Sequence, residues 1–167
     1  MFWLLLVVLT TIVVWCWYPD EPLPKGIVID KLIVYKGKRK MEAYSGNRLI
    51  KTYTIALGKS PEGHKQYEGD NKTPEGIYTI NARNPHSSYH KNLGISYPNT
   101  IDKANALKLG RSPGGDIKIH GLPNARGYTG WFHNRKDWTA GCIAVTNDEI
   151  DELYIAVKHN AVIEILQ

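Results

Sequence analysis

Residues 137–154 read "DWTAGCIAVTNDEIDELY" and place Cys142 between a glycine and an apolar run. The β-branched residues in "CIAVT" favour a short strand. Side chains alternate between the two faces of a strand, so Ile143 and Val145 are predicted to face the core. Cys142 and Ala144 are therefore predicted to share the opposite side, toward a cleft.

The same stretch then changes from strand alternation to helical spacing. Thr146 and Glu149 have the residue types and separation of a capping box at a helix start. Apolar residues follow at helical spacing, namely Ile150, Leu153, Tyr154 and Val157. A final run, "AVIEIL", predicts a strand at the end of the chain.

Upstream segments add further strands. "GIVIDKLIVYK" predicts one or two strands with a turn at Gly37, and "IYTINAR" predicts another. "RLIKTYTIAL" predicts a strand whose apolar residues share the odd positions, namely Leu49, Tyr53, Ile55 and Leu57. "DIKIH" predicts a short strand that directs Lys118 and His120 away from the core.

Two longer segments are predicted to be irregular. Residues 58–76 form a polar loop, which we expect to be functional because structureless stretches of this length are uncommon inside compact domains. Residues 84–116 contain Gly, Pro and Asn throughout, apart from a helical "DKANALKLG" that ends at Gly110. Together these segments predict a mainly β domain with one or two helices.

Composition fits one globular domain rather than a disordered or collagen-like chain. The 167 residues are 43% apolar and 22% charged, with a net charge of +5 and a pI near 9.1. This modest excess indicates a solvated basic surface, and no nucleotide-binding loop, zinc spacing or nucleic-acid motif is present. His86 and His90 are four apart but lack a further ligand, so we expect no metal and no cofactor.

Residues 1–18, "MFWLLLVVLTTIVVWCWY", contain no charged side chain and predict a membrane anchor or signal segment. Bulky residues at its end favour an uncleaved anchor, and a lipid-modified Cys16 or a buried helix are the alternatives. Residues 19–25 form a proline-containing linker, and residues 26–167 form the domain. If that domain lies outside the cytoplasm, Cys142 has no disulfide partner within reach and is an unpaired thiol that needs a reason.

A cysteine and a histidine suggest that reason. Cysteine attacks as a thiolate, and His120 could take its proton and later donate it to a leaving group. The Gly121 carbonyl could hold the imidazole in the required tautomer. The N–H groups of Gly141 and Cys142 could face a developing oxyanion. The chemistry that this arrangement predicts is acyl transfer through a thioester.

At these residues the chain resembles the L,D-transpeptidase catalytic domain family, also called the YkuD type. The matching motifs are "GDNKTPEGIYTI" at 69–80, "ISYPNTIDKANA" at 95–106, "IKIHG" at 117–121 and "DWTAGCIAVTNDEIDELY" at 137–154. The "DWTAGC" form is similar to one subgroup of that family. The resemblance implies a YkuD-like β-sandwich outside the cytoplasm, with Cys142 as nucleophile and His120 as base acting on peptidoglycan stem peptides.

Two positions depart from the family pattern. Many members have a His before the glycine and an Arg two residues after the cysteine, where this chain has Ala140 and Ala144. The charge that would hold a substrate carboxylate must then come from elsewhere, with Lys118, Arg126, Arg135 and Lys136 as candidates. Trp138, Thr139 and Arg135 are the candidate substrate contacts, and Trp131 could shape the same pocket.

Three functions follow from these observations. The first is an L,D-transpeptidase that carbapenems would acylate. The second is a hydrolase of the same family that detaches a linked lipoprotein or cuts cross-links. The third is an inactive peptidoglycan-binding module, which the presence of both His120 and Cys142 argues against.

Overall fold

The computed structural model describes residues 21–125 and 133–167. Within these ranges eight strands form one sheet in the order β3-β2-β1-β8-β4-β5-β6-β7, accompanied by two helices. The strands are β1 Ile29–Tyr35, β2 Lys40–Ser45, β3 Arg48–Thr54, β4 Gly76–Ser87, β5 His90–Ile95, β6 Lys118–His120, β7 Ile143–Ala144 and β8 Val157–Leu166. The helices are α1 Thr100–Lys108 and α2 Asn147–Ala156. The predicted mainly β fold with one or two helices is confirmed.

Strand β4 joins two halves of the sheet. Residues 76–79 pair with β8, whereas residues 80–87 pair with β5. The sheet curls around one apolar cluster, to which both halves contribute fully buried side chains. These include Leu32, Val34 and Ile163 from one half and Leu93, Ile119 and Ile143 from the other.

Both helices begin with a capping box. At α1 the Asn99 side chain accepts from two backbone N–H groups, and Asp102 accepts the Asn99 N–H at 2.8 Å. The helix stops before Gly110, which has a φ of 64°, as predicted. At α2 the predicted pair Thr146 and Glu149 forms the box and places the helix directly after the segment that carries Cys142.

The prediction for Leu49 is wrong. This side chain is 47% exposed, although it shares odd positions with buried Tyr53. The register between β2 and β3 shifts after Ala43, where Lys51 is opposite Ala43 but Leu49 is opposite Tyr44. Such a bulge inserts one extra residue and turns the following side chain to the other face.

The prediction of irregular structure after residue 84 is also wrong in part. The end of β4 and the whole of β5 lie there. Asn84, Pro85 and Gly94 interrupt the apolar alternation, so the signal in the sequence is weak. Pairing of β5 with both β4 and β6 supplies the stabilisation that local propensity lacks.

The predicted membrane segment, residues 1–18, lies outside the described residues, as does the start of the linker. Among the residues that are described, no helix is long and apolar enough to cross a membrane.

Candidate active site

A cavity of about 560 Å³ lies on the face of β4, β5 and β6 that is turned away from the core. Its floor includes Asn92 and His120, whose strand neighbours Leu93 and Ile119 belong to the core. Its walls include Tyr89, at the tip of the β4–β5 hairpin, and the segment that carries Cys142. The alternation predicted for "DIKIH" thus places His120 in a cleft.

His120 ends β6, where it pairs with Asn92 of β5 and Ala144 of β7. Its Nδ1 lies 2.7 Å from the Gly121 carbonyl oxygen. A carbonyl oxygen can only accept, so Nδ1 carries the proton and Nε2 of the neutral ring holds a lone pair. The structure therefore contains the contact predicted for Gly121, and it leaves Nε2 in the basic form.

Two aromatic rings cover His120, which is only 5% exposed. The ring centroids of Tyr89 and Trp138 lie 4.6 Å and 5.6 Å from that of the imidazole. Burial lowers the pKa of His120; the Gly121 contact opposes this change and the Lys118 charge adds to it. The imidazole is consequently neutral at pH 7.

Cys142 is half-buried, and its thiol forms no disulfide within the described residues. Its Sγ lies 3.5 Å from the carbonyl oxygen of Asp116, a residue in the left-handed region with a φ of 59°. Burial raises the pKa of the Cys142 thiol, although the Lys118 N–H and ammonium oppose the rise. The resting pair is thus a neutral thiol beside a neutral imidazole.

Gly141 is positioned by close contacts. Its φ is 136°, and an added Cβ would lie 2.7 Å from the Lys72 carbonyl oxygen, so only glycine fits without displacement. The Gly141 N–H donates to Thr139 Oγ1 at 3.1 Å, and that hydroxyl donates to the Cys142 carbonyl at 2.7 Å. This amide, predicted as an oxyanion donor, is therefore already engaged, which leaves the Cys142 N–H as the candidate from that pair.

The predicted substrate contacts are only partly brought together. Trp138 and Thr139 line the cavity, although Thr139 is 5% exposed and its hydroxyl donates to the Cys142 carbonyl. Arg135 is exposed, does not line the cavity and has another interaction partner. Arg126 and Trp131 lie outside the described residues.

The positive charges at the cavity come from two lysines. Lys118 was a predicted candidate and lines the cavity, whereas the exposed Lys136 does not. Lys59 also lines it and was not predicted. Ala144 is fully buried and exchanges backbone hydrogen bonds with Ala56 at 3.0 Å and 2.8 Å, so its side chain is covered rather than open to the cleft.

No group of three or more His, Cys, Asp or Glu side chains within 21–125 and 133–167 is placed to hold a metal ion. His90, considered as a ligand with His86, instead has its Nε2 at 2.8 Å from Asp151.

Sequence reasoning missed Tyr89, Asn92 and Lys59. The first two lie in or beside β5, where Leu93 and Ile95 alternate with less apolar residues. That alternation was the available signal for a strand with one polar face. Lys59 had no signal, because its place at the cavity depends on backbone pairing with distant Thr139.

The thiol of Cys142 and the imidazole of His120 thus line one cavity of a curled β-sheet. The family model described as the L,D-transpeptidase catalytic domain, YkuD, matches residues 27–165. The chain belongs to this family.

Among individual relatives, YafK of Escherichia coli K12, provisionally named an L,D-transpeptidase, is 30% identical over 127 residues, which are 72% of this chain and 44% of YafK. The helical cell shape determining protein Pgp2 of Campylobacter jejuni is 24% identical, with a TM-score of 0.62 over 88% of this chain and 51% of that one. LdtMt1, an L,D-transpeptidase solved in complex with imipenem, is 13% identical, with a TM-score of 0.52 over 81% and 58% of the two chains. The chain thus spans less than half the length of its curated relative.

Proposed function

We propose that this chain is a peptidoglycan L,D-transpeptidase, in which Cys142 accepts an acyl group from a tetrapeptide stem. The observation that carries the proposal is the geometry at His120. Its Nδ1 is committed to the Gly121 carbonyl, so Nε2 is the basic atom, in the same cavity as the Cys142 thiol. That arrangement suits general-base activation of a thiol.

In the first step His120 Nε2 takes the thiol proton as Cys142 Sγ attacks the carbonyl carbon of the diamino acid. The Cys142 N–H is the proposed donor to the oxyanion. Collapse breaks the C–N bond, the imidazolium proton passes to the leaving amine, and the terminal D-Ala departs. A thioester remains on Cys142.

In the second step an amine of a neighbouring stem attacks the thioester. His120 takes a proton from that amine, the C–S bond breaks, and the Cys142 thiolate recovers the proton. Because the raised pKa of Cys142 and lowered pKa of His120 favour the neutral pair, each proton moves during attack rather than before it. No cofactor enters this scheme.

The nucleophile is tested by incubating the full-length chain, in detergent, with a carbapenem and measuring its intact mass. We expect one covalent adduct in the wild type and none in Cys142→Ala. Cys16→Ala is the matched control, since it removes the chain's other cysteine and should leave the adduct intact. An adduct on Cys142→Ala, or none on the wild type, would contradict the role of Cys142.

Hydrolysis by the same thioester is the second candidate. Ala140 lies on the cavity wall and offers no polar group to hold an acceptor amine, so water could take its place. Mass spectrometry of defined muropeptides separates the two reactions, because transfer creates new cross-links whereas hydrolysis shortens stems or removes cross-links. Binding to sacculi without either product would instead identify an inactive binding module.

We further propose that the domain acts on the outer side of the cytoplasmic membrane, held there by residues 1–18 or secreted. Family membership supports this location, because peptidoglycan lies there. Pgp2 is a cell shape determining protein, and we propose cell shape as the process in which such an activity is used here.

A further inference from the structure

Asn92 presents a side-chain amide to the cavity without a partner in the protein. The residue as a whole is 5% exposed, and its carboxamide makes no hydrogen bond with any described residue. The amide is therefore open to the cavity, where its N–H and C=O groups are available to a molecule that enters.

The position of Asn92 is fixed by the sheet. It pairs with Asn84 on β4 and with His120 on β6, so these three residues form one row across the strands. Leu93 and Ile119, in the adjacent row, face the core. Asn92 consequently projects to the same face as His120, one strand away.

We propose that Asn92 binds the backbone of one residue of the stem peptide on the acyl-donor side of the scissile bond. Its Nδ2–H group donates to the carbonyl oxygen of that residue, and its Oδ1 accepts from the N–H of the same residue. A neutral amide with one donor and one acceptor edge matches the N–H and C=O of one extended residue, whereas carboxylates are matched by the Lys59 and Lys118 charges at the same cavity. This inference rests on the proposed function and adds a substrate-recognition residue to it.

The test replaces the amide by an apolar group of similar size. In the full-length Cys142→Ala chain, which binds without turnover, Asn92→Leu is compared with its parent by calorimetric titration of a synthetic tetrapeptide stem. We expect about 10- to 100-fold weaker binding, the range for two lost neutral hydrogen bonds. Asn105→Leu is the control, since Asn105 is exposed on α1, and it should bind as the parent does.

Thermal unfolding distinguishes recognition from support. If Asn92 recognises substrate, Asn92→Leu keeps the melting temperature of its parent, because the carboxamide makes no hydrogen bond with the described residues that the substitution could remove. A lowered melting temperature together with weaker binding would mean that Asn92 supports the fold, and the inference would be wrong.

A second measurement identifies the backbone N–H of the stem peptide that Asn92 accepts. Tetrapeptides N-methylated at one backbone amide at a time are titrated against the parent and against Asn92→Leu. At one amide we expect methylation to weaken binding to the parent but to have no further effect on Asn92→Leu, which is the coupling of a double-mutant cycle. Equal effects on both proteins at every amide would contradict direct contact.

These experiments distinguish a failure of the proposed function from a failure of the role proposed for Asn92. If the Cys142→Ala parent fails to bind any stem peptide, the proposed function fails and this inference fails with it. If the parent binds and Asn92→Leu binds equally well, only the role of Asn92 is wrong.

Discussion

Two regions of the molecule border the same cavity, and the main chain of each is stabilised in a different way. The floor formed by β5 and β6 has its main chain paired in the sheet, and Asn92 and His120 face the cavity from it. The loop of residues 58–76 contains no regular strand before β4 begins at Gly76, and its Lys72 carbonyl lies against Gly141.

Charged side chains inside and outside that loop bind its backbone. Lys36, which follows β1 and is fully buried, donates from Nζ to the Gly63 and Thr73 carbonyls of the loop at 2.7 Å and 2.9 Å. Asp70 accepts three backbone N–H groups and pairs with Lys65 Nζ at 2.8 Å. Burial opposes ionisation of Asp70, but the Lys65 contact and these N–H groups together hold the pKa of its carboxyl below the ordinary value.

This difference indicates which region takes part in the reaction and which region stabilises the fold. A main chain satisfied by a sheet leaves its side chains available to a substrate, whereas an irregular main chain needs side chains to satisfy it. We therefore expect substitutions on the floor to change the reaction and substitutions in the loop to change the free energy of unfolding.

The largest effect is expected at His120. His120→Ala removes the proposed base, so the rate of carbapenem acylation should fall by about 10²- to 10⁴-fold, the usual contribution of general acid–base catalysis. Intact-mass spectrometry of samples quenched at successive times gives the acylation rate, and circular dichroism should show that the domain stays folded. His86→Ala is the control, because His86 lines the cavity without a proposed role in proton transfer. Equal losses in both variants would mean that the floor acts through packing.

Substitutions in the loop of residues 58–76 should lower the free energy of unfolding and leave the acylation rate largely unchanged. The side chains of Lys65 and Asp70 are each 4% exposed, so Lys65→Met leaves a buried carboxylate without its partner. Removing one member of a buried pair costs about 3–5 kcal/mol, which urea unfolding would measure. Asp151→Asn is the control at a pair that is 40% exposed on the Asp side, where a loss of about 0–1 kcal/mol is expected.

Acylation rates decide what the loop does beyond support. At low temperature, where the variant is still folded, Lys65→Met should acylate at nearly the wild-type rate. A large loss of rate in folded protein would show that the loop takes part in the reaction, and the contrast with the floor would fail.

The same contrast explains how far the sequence could predict the molecule. Strand alternation predicted that His120 points into a cleft, and spacing predicted the capping box at Thr146, because both depend on residues close in the chain. The bulge that turns Leu49 outward depends on the pairing of two strands, which no single segment encodes. Tyr89 reaches His120 only because β5 inserts between β4 and β6.

The hydrogen bond that the Gly141 N–H makes also depends on the folded backbone and not on one segment of sequence. Its N–H was predicted to face an oxyanion from its place beside the nucleophile, but a hydroxyl two residues upstream accepts it. The sequence contains Thr139, yet only the turn between these residues determines whether the hydroxyl reaches the amide. Neighbouring residues therefore predicted which groups are present and not which hydrogen bonds they make.

The smallest effect, and the finest test of the floor, concerns Tyr89. Its ring covers the imidazole of His120, and burial is the main cause of the lowered pKa there. Tyr89→Ala should admit water and raise the pKa of His120 toward its ordinary value, so less neutral base remains in mildly acidic solution. The acid limb of the acylation profile should move to higher pH, with a loss of up to about fourfold at pH 6, because a His at its ordinary pKa is still about one quarter neutral there, and a smaller loss at pH 8. Tyr89→Phe keeps the ring and should retain the wild-type profile, while Lys118 and His133, the other ionisable neighbours of His120, are the same in both variants.

A shift in Tyr89→Phe as well would assign the effect to the hydroxyl, and no shift in Tyr89→Ala would mean that the ring does not set the protonation of the base.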